Sequence, residues 1–338
     1  MIAANTATIS PTAHTSVYDT ILDAVGRTPI VRLNKIVPSG AATVLAKCEY
    51  MNPTGSIKDR MAVHVLREAE RTGLLRPGGV IVENTSGNTG QGAAMFAAVR
   101  GYRAIFTMPD KMSKEKQDML RAMGATVVIT PTDVPGDSPE HYVNTAKRIA
   151  SETPGAFYLN QYHNPLNIDA HEISTAPEIW EQTGGKVDAI VAGAGTGGTI
   201  SGIGRYMKKH QPHVKVIGVD VVGSIHFDYF RTKTLVPAHV YKVEGIGEDI
   251  LCQAMDYAVV DEFIQVDDAQ SFAAARKLVR EEGLLCGGSS GSNVHAAIEV
   301  AKRLGPGKTV VTILCDSSTR YVSKFLNDDW MLANGFSL

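Results

Sequence analysis

The amino-acid sequence predicts an α/β fold with a mostly parallel sheet and helices on both of its faces. Short apolar runs alternate with segments of helical periodicity along almost the whole chain. No repeat of fixed period and no low-complexity tract interrupts this alternation. The chain has 338 residues, 44% of them hydrophobic, which is enough for one large core or two moderate ones. We therefore expect two α/β lobes.

Seven apolar runs predict the strands of these lobes. Two segments with a period near 3.6 residues, 58–75 and 270–285, predict helices. The stretch PTDVPGDSPE at 131–140 is rich in turn residues and predicts a loop or the edge of a subdomain. The predicted strands are VLAKCEY (44–50), VIVEN (80–84), RAIFTM (103–108), TVVIT (126–130), DAIVAG (188–193), VKVIGVD (214–220) and TVVTIL (309–314).

Charge and composition argue against several classes of protein. The net charge is -2 with 20% charged residues and no basic block, so we expect no nucleic-acid partner. No apolar run approaches the roughly 18 residues of a membrane span, and residues 1–17 lack the pattern of a signal peptide. The cysteines are scattered, without the spacing of a metal site, so we expect no metal and a reducing, cytoplasmic setting.

Lys58 lies in NPTGSIKDR (52–60), between a Pro–Gly turn and the start of a predicted helix. Most lysines at such positions are solvated, so this residue alone is weak evidence for a site. Three further loops place Gly, Ser and Thr before a helix, where backbone N–H groups favour an anion. They are ENTSGNTG (83–90), GAGTGGT (193–199) and CGGSSGS (286–292).

The loop GAGTGGT fits two different ligands. Gly193, Gly195 and Gly198 follow a predicted strand as G-x-G-x-x-G, and Asp220 ends the next strand, which is typical of a dinucleotide site. The other interpretation is a phosphate monoester bound by the backbone of 195–199. Pyridoxal phosphate carries a monoester, an aldehyde that reacts with a lysine amine, and a ring nitrogen that takes a hydrogen bond. This cofactor accounts for the lysine and the three loops together, whereas a dinucleotide accounts for one loop.

Four motifs in the same order resemble the fold-type II pyridoxal-phosphate enzymes of the cysteine synthase and cystathionine β-synthase family. They are GSIKDR around Lys58, TSGNTG around Asn88, GTGGT at 195–199 and GGSSG around Ser289. The likeness runs from about residue 21 to residue 335. Five further segments look more similar to the cystathionine β-synthase branch than to the bacterial sulfhydrylases: MPDKMSKEK (108–116), PGDSPE (135–140), VEGIGED (243–249), EEGLLCGGSSG (281–291) and NDDWM (327–331).

The resemblance implies a role for the residues of each motif. Lys58 would form the Schiff base with the cofactor, Asn88 would bind its ring hydroxyl and Ser289 its ring nitrogen. The residues implied to hold the phosphate are Gly195, Thr196, Gly197, Gly198 and Thr199. The residues implied to bind substrate are Thr85, Ser86, Gly87 and Thr89 at the carboxylate, Gln161 closing over it, and Gly245 at the mouth of the site.

The resemblance also implies a tryptophan synthase β-like architecture of two open, twisted, mostly parallel sheets, with the cofactor in the cleft between them. The larger, cofactor-binding lobe would comprise 18–53 and 165–332, and the smaller, mobile substrate lobe would comprise 54–164. Residues 1–17 would form a flexible tail and residues 333–338 a second tail. We expect a cytoplasmic homodimer of catalytic cores without a regulatory domain.

The residues and the resemblance together predict a β-replacement lyase that forms cystathionine from L-serine, or an activated serine, and homocysteine. The freed amine of Lys58 would take the α-proton, and loss of the β-leaving group would give an aminoacrylate, to which a thiol or sulfide nucleophile adds. A serine at the ring nitrogen makes the ring a milder electron sink than an aspartate would. The alternatives are a cysteine synthase that uses O-acetylserine, a related biosynthetic enzyme with another nucleophile, and, in a different class, an NAD-dependent oxidoreductase.

Two positions depart from the pattern of the family's cystathionine synthases. Glu248 follows GIG, where tyrosine is common, and Cys315 stands in LCDS, where relatives have LPDS. Glu248 is expected either to pair with the ammonium group of an amino-acid acceptor or to be a solvated first-turn residue of a helix at 248–256. Cys315 has no evident base beside it in the sequence and is predicted to be a packing residue. His171 is assigned no role.

Overall fold

The computed structural model describes residues 17–338 of the chain. The predicted tail therefore lies outside the described residues, apart from Val17. Among residues 17–338, no helix is long and apolar enough to cross a membrane. No group of three or more His, Cys, Asp or Glu side chains in the same range could hold a metal ion.

Strands in the described part of the chain form two sheets, one of six strands and one of four. All seven predicted runs coincide with strands, while three short strands at 30–32, 156–158 and 262–266 escaped prediction. The strands are β1 (Ile30–Arg32), β2 (Thr43–Cys48), β3 (Val80–Asn84), β4 (Arg103–Pro109), β5 (Thr126–Thr130), β6 (Ala156–Tyr158), β7 (Ala189–Gly193), β8 (Lys215–Val221), β9 (Glu262–Val266) and β10 (Thr309–Leu314).

Helices follow most of the strands. The helix predicted at 58–75 ends earlier, at Arg71, and the one predicted at 270–285 begins at Asp268 and ends in a π-helical turn, Leu278–Glu282. The helices are α1 (Lys58–Arg71), α2 (Asn88–Arg100), α3 (Lys114–Ala122), α4 (Tyr142–Glu152), α5 (Leu166–Ala170), α6 (Ala176–Gln182), α7 (Gly198–His210), α8 (His226–Thr232), α9 (Asp268–Lys277), α10 (Gly288–Leu304) and α11 (Asp328–Ala333).

The prediction of a helix at 248–256 is wrong, because this segment is a loop whose backbone forms hydrogen bonds with distant residues. The Ala254 N–H donates to the Tyr162 carbonyl (3.1 Å), and the Asp256 N–H donates to the Ser201 hydroxyl (2.8 Å). Both donors are thereby taken from the i to i−4 ladder that a helix needs. Glu248 is consequently not a first-turn helical residue.

The six-stranded sheet has the order β1-β2-β10-β7-β8-β9. Only its edge strand β1 runs antiparallel, and each other neighbouring pair is parallel. Helices pack on both of its faces, so the inner strands are buried on both sides. This burial explains why β7 and β10 read as nearly continuous apolar runs rather than alternating ones.

The four-stranded sheet has the order β5-β4-β3-β6, and all of its pairs are parallel. Its central strand β3 is completely buried, beneath a core shared with α1 and α2. The α/β class with two mostly parallel sheets is thus confirmed. The lobe boundaries given above stay a prediction.

The carboxyl ends of β3 and β7 lead directly into two of the loops that the sequence singles out, and β10 ends beside the turn that precedes Lys58. β3 is followed by 85–89, β7 by 194–199, and β10 by a segment whose Asp316 pairs with Ser56 in an isolated bridge. Ligands of open α/β sheets bind at these ends of the strands. The topology therefore brings 194–199 and the turn before Lys58 to the carboxyl ends of strands of the larger sheet, while 85–89 follows a strand of the smaller sheet.

Candidate active site

Lys58 is the first residue of α1, and the turn before it is fastened to the end of β10. The Ile57 N–H donates to the Cys315 carbonyl at 2.9 Å, next to the point where the chain leaves β10. Gly55 in this turn has φ +83°, a conformation that L side chains rarely adopt. The start of α1 is thereby fixed relative to the larger sheet, and the Lys58 side chain lines a cleft at its edge.

A buried ionic cluster anchors α1. Arg60 is 4% exposed and donates to Glu49 (2.6 Å) and to Glu178 (2.7 Å), and Lys47 also donates to Glu178 (2.7 Å). Burial alone would raise the pKa of Glu49, but the Arg60 charge holds that pKa below its ordinary value. Burial would likewise raise the pKa of Glu178, but the hydrogen bonds from Arg60 and Lys47 lower that pKa to about 2. Because buried ions require their partners, the cluster holds α1, and with it Lys58, in one place.

The cleft beside Lys58 encloses about 410 Å³, counting its open mouth. Three motifs that are far apart in the sequence, at 58, 195–199 and 289, meet here. The residues that line the cleft are Ile57, Lys58, Ala192, Gly193, Gly195, Thr196, Gly197, Thr199, Gly245, Ile246, Ser289, Asn293, Ile313 and Cys315.

The glycine loop (195–199) joins β7 to α7 and has no room for side chains at two of its positions. Gly197 has φ +89°, and a Cβ there would lie 2.5 Å from the Cβ of Met255. A Cβ on Gly198 would overlap the side-chain amide of Asn167. The chain therefore carries no side chain at these two positions, and the first N–H groups of α7 have no partners within the helix. Among the described residues that line the cleft, Lys58 is the only Lys or Arg, so the backbone must provide most of the attraction for an anion.

Two buried side chains hold the threonines of the glycine loop. Asn167 donates through its Nδ2 to the Thr196 hydroxyl (3.0 Å), and the His171 Nε2 lies 3.3 Å from the Thr199 hydroxyl. Burial, together with the Arg60 charge, lowers the pKa of His171 to about 3, so its ring is neutral. The sequence assigned His171 no role, because a contact across 28 positions leaves no local pattern.

Loop 85–89 runs from the end of β3 into the first turn of α2, and the Thr85 side chain organises it. The Thr85 hydroxyl accepts from the N–H groups of Gly87 (3.0 Å) and Gly90 (3.1 Å). The Thr89 hydroxyl donates to the Gln161 Oε1 (2.7 Å). The Nε2 of Gln161 in turn donates to the Asn84 carbonyl (3.1 Å). Thr85 and Gln161 thus shape the loop, and none of the predicted substrate-binding residues except Gly245 lines the 410 Å³ cleft.

Asn88 is placed across the gap between the two sheets. Its Nδ2 donates to Asp316 at 2.8 Å, and the Tyr321 hydroxyl donates to the same carboxylate oxygen at 2.7 Å. Asn88 does not line the cleft in this arrangement. Its predicted bond to a cofactor hydroxyl therefore stays a prediction, while its observed partner joins α2 to the segment after β10.

Ser289 is the second residue of α10 and the serine of its motif that lines the cleft. Its neighbours have other partners: the Ser290 hydroxyl accepts from the Cys315 N–H (2.9 Å), and the Ser292 hydroxyl donates to Ser271 (2.7 Å). Asn293 also lines the cleft, and its buried Oδ1 has no hydrogen-bond partner among the described residues. Sequence reasoning missed Asn293, although it lies four positions after Ser289, on the same side of the helix.

Glu248 lies in the loop beside the mouth of the cleft. One carboxylate oxygen is 3.9 Å from the position that a Cβ on Gly195 would take. Burial, with the charge of Asp249, raises the pKa of Glu248 to about 8, and the charge of Lys58 opposes this rise. Gly245 precedes it with φ +85°, and a Cβ there would lie 3.6 Å from the Ser289 hydroxyl oxygen. A carboxyl group thus stands close to both the glycine loop and the lysine.

The carboxylate of Asp220, the acidic residue of the dinucleotide interpretation, already has hydrogen-bond partners in the backbone. Its carboxylate accepts from the N–H groups of Val221 (2.9 Å) and Phe227 (2.7 Å), and its side chain is fully buried. A dinucleotide site needs this carboxylate free for a ribose hydroxyl. The G-x-G-x-x-G pattern is therefore present here without the acidic partner that gives it meaning.

Comparison with known proteins agrees with this geometry. The family model described as "Pyridoxal-phosphate dependent enzyme" matches residues 21–316. Cystathionine beta-synthase from Rattus norvegicus is 49% identical over 96% of this chain and 58% of its own length. Cystathionine beta-synthase from Saccharomyces cerevisiae is 41% identical over 93% of this chain and 64% of its own length.

This chain spans about three fifths of the length of such curated relatives. A crystal structure of O-ureido-L-serine synthase superposes with a TM-score of 0.84 at 34% identity, and it covers 94% of this chain and 100% of that one. The chain belongs to the fold-type II pyridoxal-phosphate-dependent enzymes of the cystathionine β-synthase and cysteine synthase family.

Proposed function

We propose that the protein is a β-replacement enzyme that forms cystathionine from homocysteine and L-serine or an activated serine. The observation that carries this proposal is the meeting of Lys58, the glycine loop and Ser289 around one cleft. Relatives named cystathionine beta-synthase, 41–50% identical over most of this chain, support the same activity.

The residues of the cleft fit pyridoxal phosphate. Lys58 supplies an amine for the aldehyde carbon, the glycine loop supplies N–H groups for the phosphate, and Ser289 supplies a hydroxyl for the ring nitrogen. The buried, unpartnered Oδ1 of Asn293 is an acceptor that a ligand donor would satisfy. When bound, the cofactor supplies an electron sink for negative charge at the substrate Cα.

The chain's own residues then bind the substrate and move a proton. The free amine of Lys58 takes the proton from Cα and can return it. N–H groups of loop 85–89, at the N-terminus of α2, bind the substrate carboxylate without an arginine, and Gln161 lies against this loop through Thr89. Ser289 is neutral, so it leaves the ring nitrogen uncharged, which favours loss of a β-substituent over transamination.

Product analysis by mass spectrometry tests the proposal. The purified protein is supplied with serine or O-acetylserine, each paired with homocysteine or sulfide. We expect cystathionine in the homocysteine arms. Cysteine formed from O-acetylserine and sulfide, with no cystathionine in any arm, would instead assign the cysteine synthase activity. If neither homocysteine nor sulfide gives a product, the result would point to a related enzyme that uses another nucleophile. The name O-ureido-L-serine synthase describes such an activity for the structural relative.

Lys58→Ala tests the proposed covalent link. We expect the variant to lose turnover and the visible absorption of a lysine-bound cofactor, and borohydride to leave it unlabelled while labelling the parent protein at Lys58. Lys114→Ala is the matched control, because this lysine is 84% exposed on α3. Near-normal turnover of the Lys58 variant without added amine would contradict the assignment.

The proposal also covers partners and setting, which rest on the family alone. We infer small amino-acid substrates with a thiol or sulfide nucleophile, a homodimer, and a cytoplasmic location. Light scattering on the purified holoenzyme measures the oligomeric state, and a monomer at working concentration would contradict the homodimer.

A further inference from the structure

His226 is a buried histidine that contacts the glycine loop from outside the cleft. It begins α8, is 0% exposed, and does not line the cavity. Its Nε2 lies 2.9 Å from the Gly195 carbonyl oxygen, and its Nδ1 lies 2.7 Å from the Tyr257 hydroxyl oxygen. A carbonyl oxygen can only accept, so Nε2 carries the hydrogen. In the neutral ring Nδ1 is then an acceptor, and the Tyr257 hydroxyl donates to it.

The surroundings hold the ring in this orientation. The Asp220 carboxylate accepts from the Phe227 N–H at 2.7 Å, which fixes the backbone directly after His226. The Phe263 ring stacks beside the imidazole with ring centroids 6.4 Å apart and an interplanar angle of 18°. Burial lowers the pKa of His226, and the Asp220 charge opposes this shift. The imidazole is thus a fixed donor rather than a freely rotating one.

A fixed donor at the Gly195 carbonyl has a consequence for the next N–H group. In a planar trans peptide, the C=O of one residue and the N–H of the next point in opposite directions. Holding the Gly195 carbonyl on His226 therefore directs the Thr196 N–H to the opposite side of the peptide plane. Since Gly195 and Thr196 both line the cleft while His226 does not, that side is the cleft side.

We propose that His226 is a positioning residue for the cofactor phosphate, acting through the Gly195–Thr196 peptide and tuned by Tyr257. The inference deepens the proposed function, because it rests on the glycine loop as the phosphate site. Asn167 and His171 hold the loop at Thr196 and Thr199. His226 holds the Gly195–Thr196 peptide plane at the start of the loop. The side-chain contacts of Asn167 and His171 do not fix this plane.

Binding of pyridoxal phosphate and of pyridoxal to the cofactor-free protein tests the inference. These ligands share the ring and the aldehyde and differ in the phosphate. For His226→Leu we expect the dissociation constant of pyridoxal phosphate to rise about 3- to 10-fold, the effect of one lost neutral hydrogen bond, with that of pyridoxal unchanged. His226→Gln keeps an N–H donor and should restore most of the affinity for pyridoxal phosphate. His210→Leu, at the exposed far end of α7, is the control and should bind both ligands as the parent does.

Tyr257→Phe provides a second test that keeps the ring of His226 intact. Without the hydroxyl donor, Nδ1 loses its hydrogen-bond partner, while the Gly195 carbonyl still requires the hydrogen on Nε2. We expect the ¹⁵N shift of Nδ1 to change as its hydrogen bond is lost while the Nε2–H tautomer is kept, together with a smaller loss of affinity for pyridoxal phosphate than in His226→Leu. This variant also keeps the inference testable if the leucine variant fails to fold.

Two different results separate the two levels of the proposal. Equal weakening of pyridoxal phosphate and pyridoxal in His226→Leu would make the residue merely structural and overturn the inference. If the parent protein binds both ligands equally well, the glycine loop is not a phosphate site, and the placement of the cofactor fails with it.

Discussion

Glu248 places a carboxyl group beside the glycine loop. Burial and the Asp249 charge raise its pKa to about 8, against the opposing charge of Lys58. The group is therefore mostly protonated at pH 7 and ionises as the pH rises through about 8. Only the ionised form attracts the ammonium group of an amino-acid acceptor.

Glu248→Gln should therefore act on the acceptor in a pH-dependent way. Glutamine resembles the protonated acid, so parent and variant should have similar acceptor KM values near pH 6. Above pH 8 the KM of the variant should exceed that of the parent by about 1.4- to 5-fold, which corresponds to the roughly 0.2–1 kcal/mol of a partly exposed ion pair. Steady-state kinetics with homocysteine from pH 6 to 9 measure this, with the donor half-reaction expected to stay unchanged.

Asp249→Asn is the companion variant. Removing this charge should lower the pKa of Glu248, because Asp249 is one of the groups that raise it. The double variant Glu248→Gln/Asp249→Asn is the reference for Asp249→Asn. The acceptor KM values of these two variants should begin to differ at a pH below 8. Equal effects of Glu248→Gln on donor and acceptor would show that the carboxyl group has only a structural role.

Sequence reasoning works at single residues where a motif is local. Lys58 and Ser289 sit in short patterns of Gly and Ser next to helix starts, and the structure brings both to the cleft. His226 and His171 could not be found in this way, since each contacts the glycine loop across about 30 positions. Contacts of this kind arise only when the sheet has formed.

At the scale of elements, the first turn of α7 depends on the absence of side chains at its start. Alanine at position 197 would face both an unfavourable φ of +89° and the Met255 side chain at 2.5 Å. We expect Gly197→Ala to weaken pyridoxal phosphate binding by about tenfold or more, because the loop can relieve the backbone strain, on the order of 1–2 kcal/mol, and the overlap with Met255 only by leaving its present conformation. A fluorescence titration of the cofactor-free protein measures this change.

Gly101→Ala is the matched control for Gly197→Ala. Gly101 is also left-handed, with φ +75°, but no atom of the described residues lies within 4 Å of a Cβ there. It should lose some thermal stability through backbone strain while binding the cofactor normally. Normal binding by the Gly197 variant would mean that the glycine loop does not hold the phosphate.

The ionic cluster that anchors α1 predicts how acid affects the fold. The folded pKa of Glu178 is about 2, below its ordinary value of 4.5. Its ionised form therefore stabilises the fold above pH 4.5, and this contribution is lost as the pH falls toward 2. Glu178→Gln should lower Tm by about 5 °C at pH 7, because Lys47 and Arg60 lose a charged partner.

The difference in Tm between parent and Glu178→Gln should shrink as the pH falls from 4.5 to about 2. Glu181→Gln is the control, because Glu181 is an exposed residue of the same helix α6. Scanning calorimetry at several pH values measures both variants. A difference in Tm that stays constant down to pH 2 would contradict the role of the Glu178 charge.

Elements were predictable where burial on both faces gives a nearly continuous apolar run, as in β7 and β10. Short strands gave no such pattern: β1 and β6 have three residues each, and neither is fully buried. The loop at 248–256 was misread as a helix because its backbone partners, Tyr162 and Ser201, lie far away in the sequence. Tertiary hydrogen bonds overrode the local pattern in that case.

At the scale of the whole molecule, the two sheets meet around a charged contact next to loop 85–89. The Lys116 Nζ on α3 lies 2.5 Å from the Glu244 carboxylate, and it stands 5.5 Å from the centroid of the Tyr321 ring. The Lys116 stem packs against Gly87, since a Cβ there would lie 3.4 Å from the Lys116 Cδ. Lys324 donates to the same carboxylate. This contact holds the smaller sheet and its loop against the larger one.

Glu244 is kept ionised by these partners. Burial would raise its pKa, but Lys116 and Lys324 hold that pKa below its ordinary value. Lys116→Met keeps the length of the side chain and removes its charge, so it should loosen the contact without emptying the space beside Gly87. We therefore predict that this contact restricts the motion of loop 85–89.

We expect Lys116→Met to raise amide hydrogen exchange about tenfold in loop 85–89 and α3, and to raise the donor KM. A hydrogen bond between charged groups contributes about 1.5–3 kcal/mol, and the remaining bond from Lys324 should limit the loss to the lower end of that range. Lys114→Met, two positions earlier on α3 and 84% exposed, is the matched control and should exchange as the parent does. Unchanged exchange in 85–89 with an unchanged donor KM would show that the Lys116–Glu244 pair does not hold the two sheets together.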